Sequence, residues 1–94
     1  MYLVKLLLEA RPGAPPGVGP DRVAAALRAR VIPSDRVEHI SVKATGNGMH
    51  VGFFGLAGNL AEATANARRV CHRALSTDPV LGGWRLNSEL EFME

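Results

Sequence analysis

The chain has 94 residues, of which 47% are hydrophobic and 21% are charged, and its formal net charge at pH 7 is +2. These values indicate one small globular domain spanning residues 1–94, which is long enough to build a core without disulfides or a structural metal. A charge of +2 is too small to indicate a nucleic acid or a membrane surface as partner. The lone Cys71 excludes an internal disulfide, so we expect a cytoplasmic protein.

Hydrophobic periodicity predicts six elements, beginning with a strand over residues 2–9. Both faces of this strand are largely apolar, which is typical of a central strand and not of a signal peptide, because Lys5 and Glu9 interrupt and close the run. Seven of the ten residues from 11 to 20 are Pro or Gly, which predicts a connecting loop. A helix over residues 21–31 follows, with Val23, Leu27 and Val31 on its buried face.

The next two strands, residues 37–45 and 49–56, form a hairpin whose pairing can be predicted. A two-residue loop of Gly46 and Asn47 places Val42 opposite Val51 and Ile40 opposite Phe53. A second helix spans residues 60–76 after an Asn59 cap, and a last strand over residues 84–93 alternates between apolar and polar residues.

This order, βαββαβ, is the ferredoxin-like arrangement of α+β proteins. It predicts a four-stranded antiparallel sheet in the order 4-1-3-2, with both helices on one face. We expect the following residues to be buried beneath the helices: Val4, Leu6, Leu27, Ile40, Val42, Val51, Phe53, Val70, Leu86 and Leu90.

The sequence offers no catalytic set, metal site or cofactor motif. Its three histidines and Cys71 lack the spacing of metal ligands. Ser41 is two residues from His39 along one strand, about 7 Å away, which is too far for activation. Arg68, Arg69 and Arg73 form a basic cluster, which can contact an external anion or complement the carboxyl end of the second helix.

The outer sheet face, opposite the helices, is the candidate binding surface. Leu3, Leu7 and Phe54 are too apolar to be left in water on this face. The predicted site residues are Leu3, Lys5, Leu7, His39, Ser41, Lys43, His50 and Phe54.

Three functions fit this surface and the rest of the chain. The first is a small non-enzymatic accessory or binding protein that forms a homodimer through the sheet face, or that docks another protein there. The second resembles the dimeric α+β barrels in architecture, as an enzyme or small-ligand binder with a pocket between two sheets. The third is a nucleic-acid-binding module that uses the basic cluster of the second helix.

Overall fold

The computed structural model describes residues 2–12, 18–45 and 48–93, with side chains as far as Asn87. Single turns of 3₁₀ helix at Pro33–Asp35 and Pro79–Leu81 precede the second and fourth strands. The helices and strands follow the predicted order: β1 (Tyr2–Ala10), α1 (Pro20–Arg28), β2 (Val37–Ala44), β3 (Gly48–Gly55), α2 (Leu60–Thr77) and β4 (Trp84–Met93).

The strands form one antiparallel sheet in the order β2-β3-β1-β4, which confirms the predicted order and the central position of β1. In the β2–β3 hairpin, Ile40 lies opposite Phe53, as predicted. The Thr45 N–H donates to the Gly48 carbonyl at 2.8 Å, so the two strands join across two residues. Those two residues, 46 and 47, lie outside the described part of the chain, as do residues 13–17 of the predicted loop.

The core lies between both helices and one face of the sheet. Seven of the predicted core residues are at most 2% exposed: Val4, Leu6, Leu27, Ile40, Val51, Phe53 and Val70. Val42 and Leu86, which were also predicted to be buried, are half-buried and pack against the margin of the core. Leu90 lies outside the described side chains.

The largest differences from the sequence prediction are in α1 and β4. Helix α1 ends at Arg28, because the N–H groups of Arg30 and Val31 bond to carbonyls three residues back and close a tighter turn before Pro33. In β4 the pairing with β1 shifts: Lys5 pairs with Phe92, whereas Leu7 pairs with Asn87. The alternation predicted for β4 is therefore interrupted by an irregularity in the ladder.

Neither described helix is long and apolar enough to cross a membrane.

Candidate functional site: the outer face of the sheet

The outer face is the surface of β1, β3 and β2 that points away from the helices. The strand pairing arranges it as three rows across three strands, with Gly52 at the centre. In the order β1, β3, β2, the rows are Leu3, Phe54 and His39; Lys5, Gly52 and Ser41; and Leu7, His50 and Lys43. The structure thus brings all of the predicted sheet-face residues together around one glycine.

Gly52 lies beneath a concavity of about 340 Å³ in this face. A Cβ atom at position 52 would lie 2.8 Å from Ser41 Oγ and 3.4 Å from Leu3 Cδ1. A side chain here would therefore crowd the Ser41 hydroxyl, touch Leu3 at van der Waals distance and fill the space between them. Glycine keeps the centre of the face open.

The concavity has an apolar end and a polar end. Leu3 and Phe54, both half-buried, form the apolar end, where the Phe54 ring is 5.7 Å from the His39 ring, centre to centre. Lys43 and His50 lie exposed at the other end, and Lys5 and Ser41 flank the centre. The described residues that line the concavity include no carboxylate. The described lining therefore combines apolar side chains at one end with lysine, serine and histidine side chains at the centre and the other end.

Leu7 differs from the other apolar residues of this face. It is only 7% exposed, because it lies between His50 on β3 and Asn87 on β4, and the Asn87 amide donates to the Glu9 carboxylate beside it. Leu7 was expected to need a second copy of the chain to cover it, but its neighbours within the subunit already do so. Asn87 lies in the regularly paired part of β4, before the irregularity, on the polar side of that strand.

The hydroxyl and imidazole groups on this face do not form a nucleophile–base pair by strand pairing. Ser41 lies opposite Gly52, while His39 lies opposite Phe54 and His50 opposite Lys43. The two histidines are one row away from Ser41 on either side, about 7 Å along the strands. Within the described residues, no group of three His, Cys, Asp or Glu side chains could hold a metal ion.

The predicted basic cluster on α2 faces a buried carboxylate of the chain itself. Arg73 donates from Nη1 to Asp35 Oδ2 at 2.9 Å and from Nη2 to Oδ1 at 3.4 Å, and it also donates to the Arg30 carbonyl. Arg69 Nε lies 4.0 Å from Asp35 Oδ1. Arg68, the third member of the cluster, is half-buried. The sequence analysis allowed this cluster to contact an external anion. The anion that Arg73 and Arg69 face is instead the carboxylate of Asp35 in the same chain.

Asp35 was not singled out by the sequence, although it is 1% exposed. It ends the 3₁₀ turn that Pro33 begins, and its carboxylate accepts the Ile32 N–H at 2.9 Å. Burial raises the pKa of Asp35, but the Arg73 and Ile32 hydrogen bonds and the nearby guanidinium charges outweigh it, so the pKa lies below its ordinary value. An aspartate two residues after a proline signals such a turn, but its partner 38 residues away cannot be read from spacing.

Cys71 has a packing role. It is fully buried in the core, and this burial raises the pKa of its thiol to about 12, although the Arg68 charge opposes the shift. The thiol is therefore protonated at neutral pH and unreactive as a nucleophile. Its place is in the core, away from the outer face.

Comparison of the chain with protein-family models, with curated proteins and with solved structures finds no match in any of the three. The geometry of the outer face is therefore the basis for inferring function. That geometry combines half-buried apolar side chains, a central concavity and three strands that carry cationic or polar groups.

Proposed function

We propose that the chain is a ferredoxin-like, non-enzymatic binding protein of the cytoplasm that forms a homodimer through its outer sheet face. The observation that carries the proposal is the position of Leu3 and Phe54, which are apolar and partly accessible on the face opposite both helices. A second copy of the chain can cover this face, because a two-fold axis makes one patch complementary to itself.

One two-fold arrangement suits the three rows of the outer face. Two sheets pack face to face about 10 Å apart. If the axis runs along β3 between them, Phe54 meets the partner subunit's Phe54 and Leu3 meets the partner subunit's His39. Lys5 then faces the partner subunit's Ser41, so the central lysines avoid each other.

The nucleic-acid alternative has no comparable support. Two of the three arginines that would contact phosphates, Arg69 and Arg73, are directed toward Asp35. A ligand-binding role between the sheets is the second candidate, and the observation that favours it is the Gly52 concavity.

Substituting Phe54 by glutamate is expected to convert the dimer to a monomer. The change removes the apolar contact on the proposed axis and places two carboxylates opposite each other in a space that excludes water. Sedimentation velocity at tens of micromolar protein measures the result, and circular dichroism checks that the subunit keeps its fold. Leu7→Glu is a poor test, because a charge at this covered position would disturb the subunit itself.

Leu56→Glu is the matched control for this experiment. Leu56 is 42% exposed, follows β3 and lines a groove with Ile32 and Arg36 that shares no residue with the lining of the Gly52 concavity. The same apolar-to-acidic change should therefore leave the dimer intact. A dimeric Phe54→Glu variant, or a Leu56→Glu variant that also dissociates, would show that the outer face is not the interface.

A further inference from the structure

A groove of about 400 Å³ lies between the last turns of α2 and the start of β4, which is an edge strand. Leu75 on α2 and Trp84 and Leu86 on β4 are all half-buried and give the groove an apolar wall. Its described lining shares no residue with that of the Gly52 concavity. The groove therefore has the size of a small-molecule site and is separate from the proposed dimer interface.

Trp84 carries a hydrogen-bond donor that the subunit leaves unsatisfied. Among the described residues, its indole Nε1 is the one buried side-chain nitrogen or oxygen atom without a hydrogen-bond partner. A buried indole N–H usually finds an acceptor, because it has lost its hydrogen bond to water. Since this group can only donate, the partner that would complete this part of the groove is an acceptor.

Two guanidinium groups adjoin the same groove. Arg11 follows β1, where its backbone N–H donates to the Gly83 carbonyl, and Arg85 is the second residue of β4. Both side chains are exposed, and within the described part of the chain no ion pair holds either of them. Glu9 lies opposite Arg85 in the sheet, but its carboxylate accepts from the Asn87 amide. Because a guanidinium stays protonated, both arginines carry a permanent charge.

The remaining polar residues of the groove add hydrogen-bonding groups and no negative charge. Ser76 and His72 line it from α2, and its described lining includes no Asp or Glu. The carboxyl end of a helix carries a partial negative charge, but the Thr77 hydroxyl and the Asp78 N–H each donate to a carbonyl near this end. Two full positive charges outweigh what is left, so the groove favours an oxyanion.

We propose that the groove beside Trp84 binds a small molecule that carries an oxyanion on a flat apolar body. The oxyanion accepts hydrogen bonds from Arg11 and Arg85, whose planar forks match a carboxylate or a phosphate. It also accepts from the Trp84 N–H, which a turn of the half-buried ring presents to the groove. The apolar body lies against Leu75 and Leu86. All of these residues belong to one subunit, so the site does not depend on the proposed homodimer.

Isothermal titration calorimetry at neutral pH tests the ligand class and distinguishes the two oxyanions. Benzoate supplies a carboxylate and phenyl phosphate a phosphate, benzamide is the neutral analogue, and acetate and inorganic phosphate lack the ring. At least one of the two aryl anions is expected to bind about tenfold or more tightly than benzamide and than its own ring-free anion. Failure of both to bind, or binding no tighter than that of benzamide, overturns the proposal.

The fluorescence of Trp84 locates the bound ligand, because Trp84 is the only tryptophan of the chain. Its emission should change in a saturable way as the aryl anion is added, with the same midpoint that calorimetry gives. Calorimetric binding that leaves the emission unchanged would place the ligand elsewhere and overturn the assignment of the site.

Three variants and one control test the role of each group. Arg11→Gln and Arg85→Gln each remove an exposed charge and should weaken binding about threefold to tenfold. Trp84→Phe keeps a flat ring without the N–H and should weaken binding about threefold or more. Arg22→Gln, an exposed charge removal on α1, is the control and should change binding less than about twofold.

The outcomes of these variants are decisive in a monomer as well as in a dimer. Affinity that is unchanged in both arginine variants overturns the site, and affinity unchanged in Trp84→Phe overturns the role of the indole N–H. If Trp84→Phe unfolds, the exposed arginine variants still decide the proposal. Sedimentation of the same samples reports on the homodimer separately, because no residue of the groove lies in the proposed interface.

Discussion

Replacing Phe53 by alanine is expected to lower the free energy of unfolding by about 3–5 kcal/mol. Phe53 is 2% exposed and lies at the centre of the sheet, opposite Val4 on β1 and Ile40 on β2. Truncation leaves a cavity beneath the helices that strands paired on both sides cannot close by moving inward. Urea unfolding followed by circular dichroism, fitted with a common slope, measures the change.

An exposed leucine provides the control for the Phe53 variant. Leu56→Ala removes a large apolar side chain that is 42% exposed, so its effect should stay within about 0.5 kcal/mol. A loss well under about 1 kcal/mol in Phe53→Ala would contradict the hairpin pairing, because a shift by one residue exchanges the two faces of the sheet.

Replacing Asp35 by alanine is expected to destabilise the protein by about 2–3 kcal/mol at neutral pH. The carboxylate is 1% exposed and accepts hydrogen bonds from the Ile32 N–H and from Arg73, which joins the turn before β2 to α2. Alanine leaves these donors without their acceptor. Urea unfolding at neutral pH measures the loss, and Asp21→Ala, an exposed aspartate in the first turn of α1, is the control with a smaller expected effect.

The contribution of Asp35 should also depend on pH. Its pKa in the folded protein lies below the ordinary value of 3.8, so folding is favoured by the ionised carboxylate. This stabilisation is fully present above pH 3.8 and is lost as the pH falls through the lower, folded-state pKa. The difference in unfolding free energy between wild type and Asp35→Asn should therefore shrink as the pH falls below 3.8. A difference that stays constant down to pH 2 would contradict the lowered pKa.

The features that the sequence predicted correctly are those set by local patterns. The Asn59 side chain accepts the Glu62 N–H at 2.8 Å and begins α2 where the cap was expected. The pairing of Ile40 with Phe53 follows from the two-residue connection and from the alternation of both strands. These patterns placed the candidate residues of β1, β2 and β3 on the outer face.

The features that the sequence could not predict depend on contacts between distant segments. Asp35 and Arg73 meet because the turn before β2 packs against α2, which no spacing in the sequence indicates. Leu7 is covered because β4 pairs beside it, where the Asn87 amide donates to the Glu9 carboxylate from 78 residues away along the chain. Gly52 was placed on the correct face, but its role as the centre of a concavity depends on the close approach of its neighbours from adjacent strands.

The molar mass of the unmodified protein in solution tests the central claim most directly. Size-exclusion chromatography with light scattering, across a dilution series from high to low micromolar protein, measures it without a mutation or a ligand. A homodimer through the outer face predicts twice the chain mass of 10.0 kDa at the upper end of the series. A constant 10.0 kDa across the whole series would contradict the dimer and would make the outer face a docking site for a different molecule.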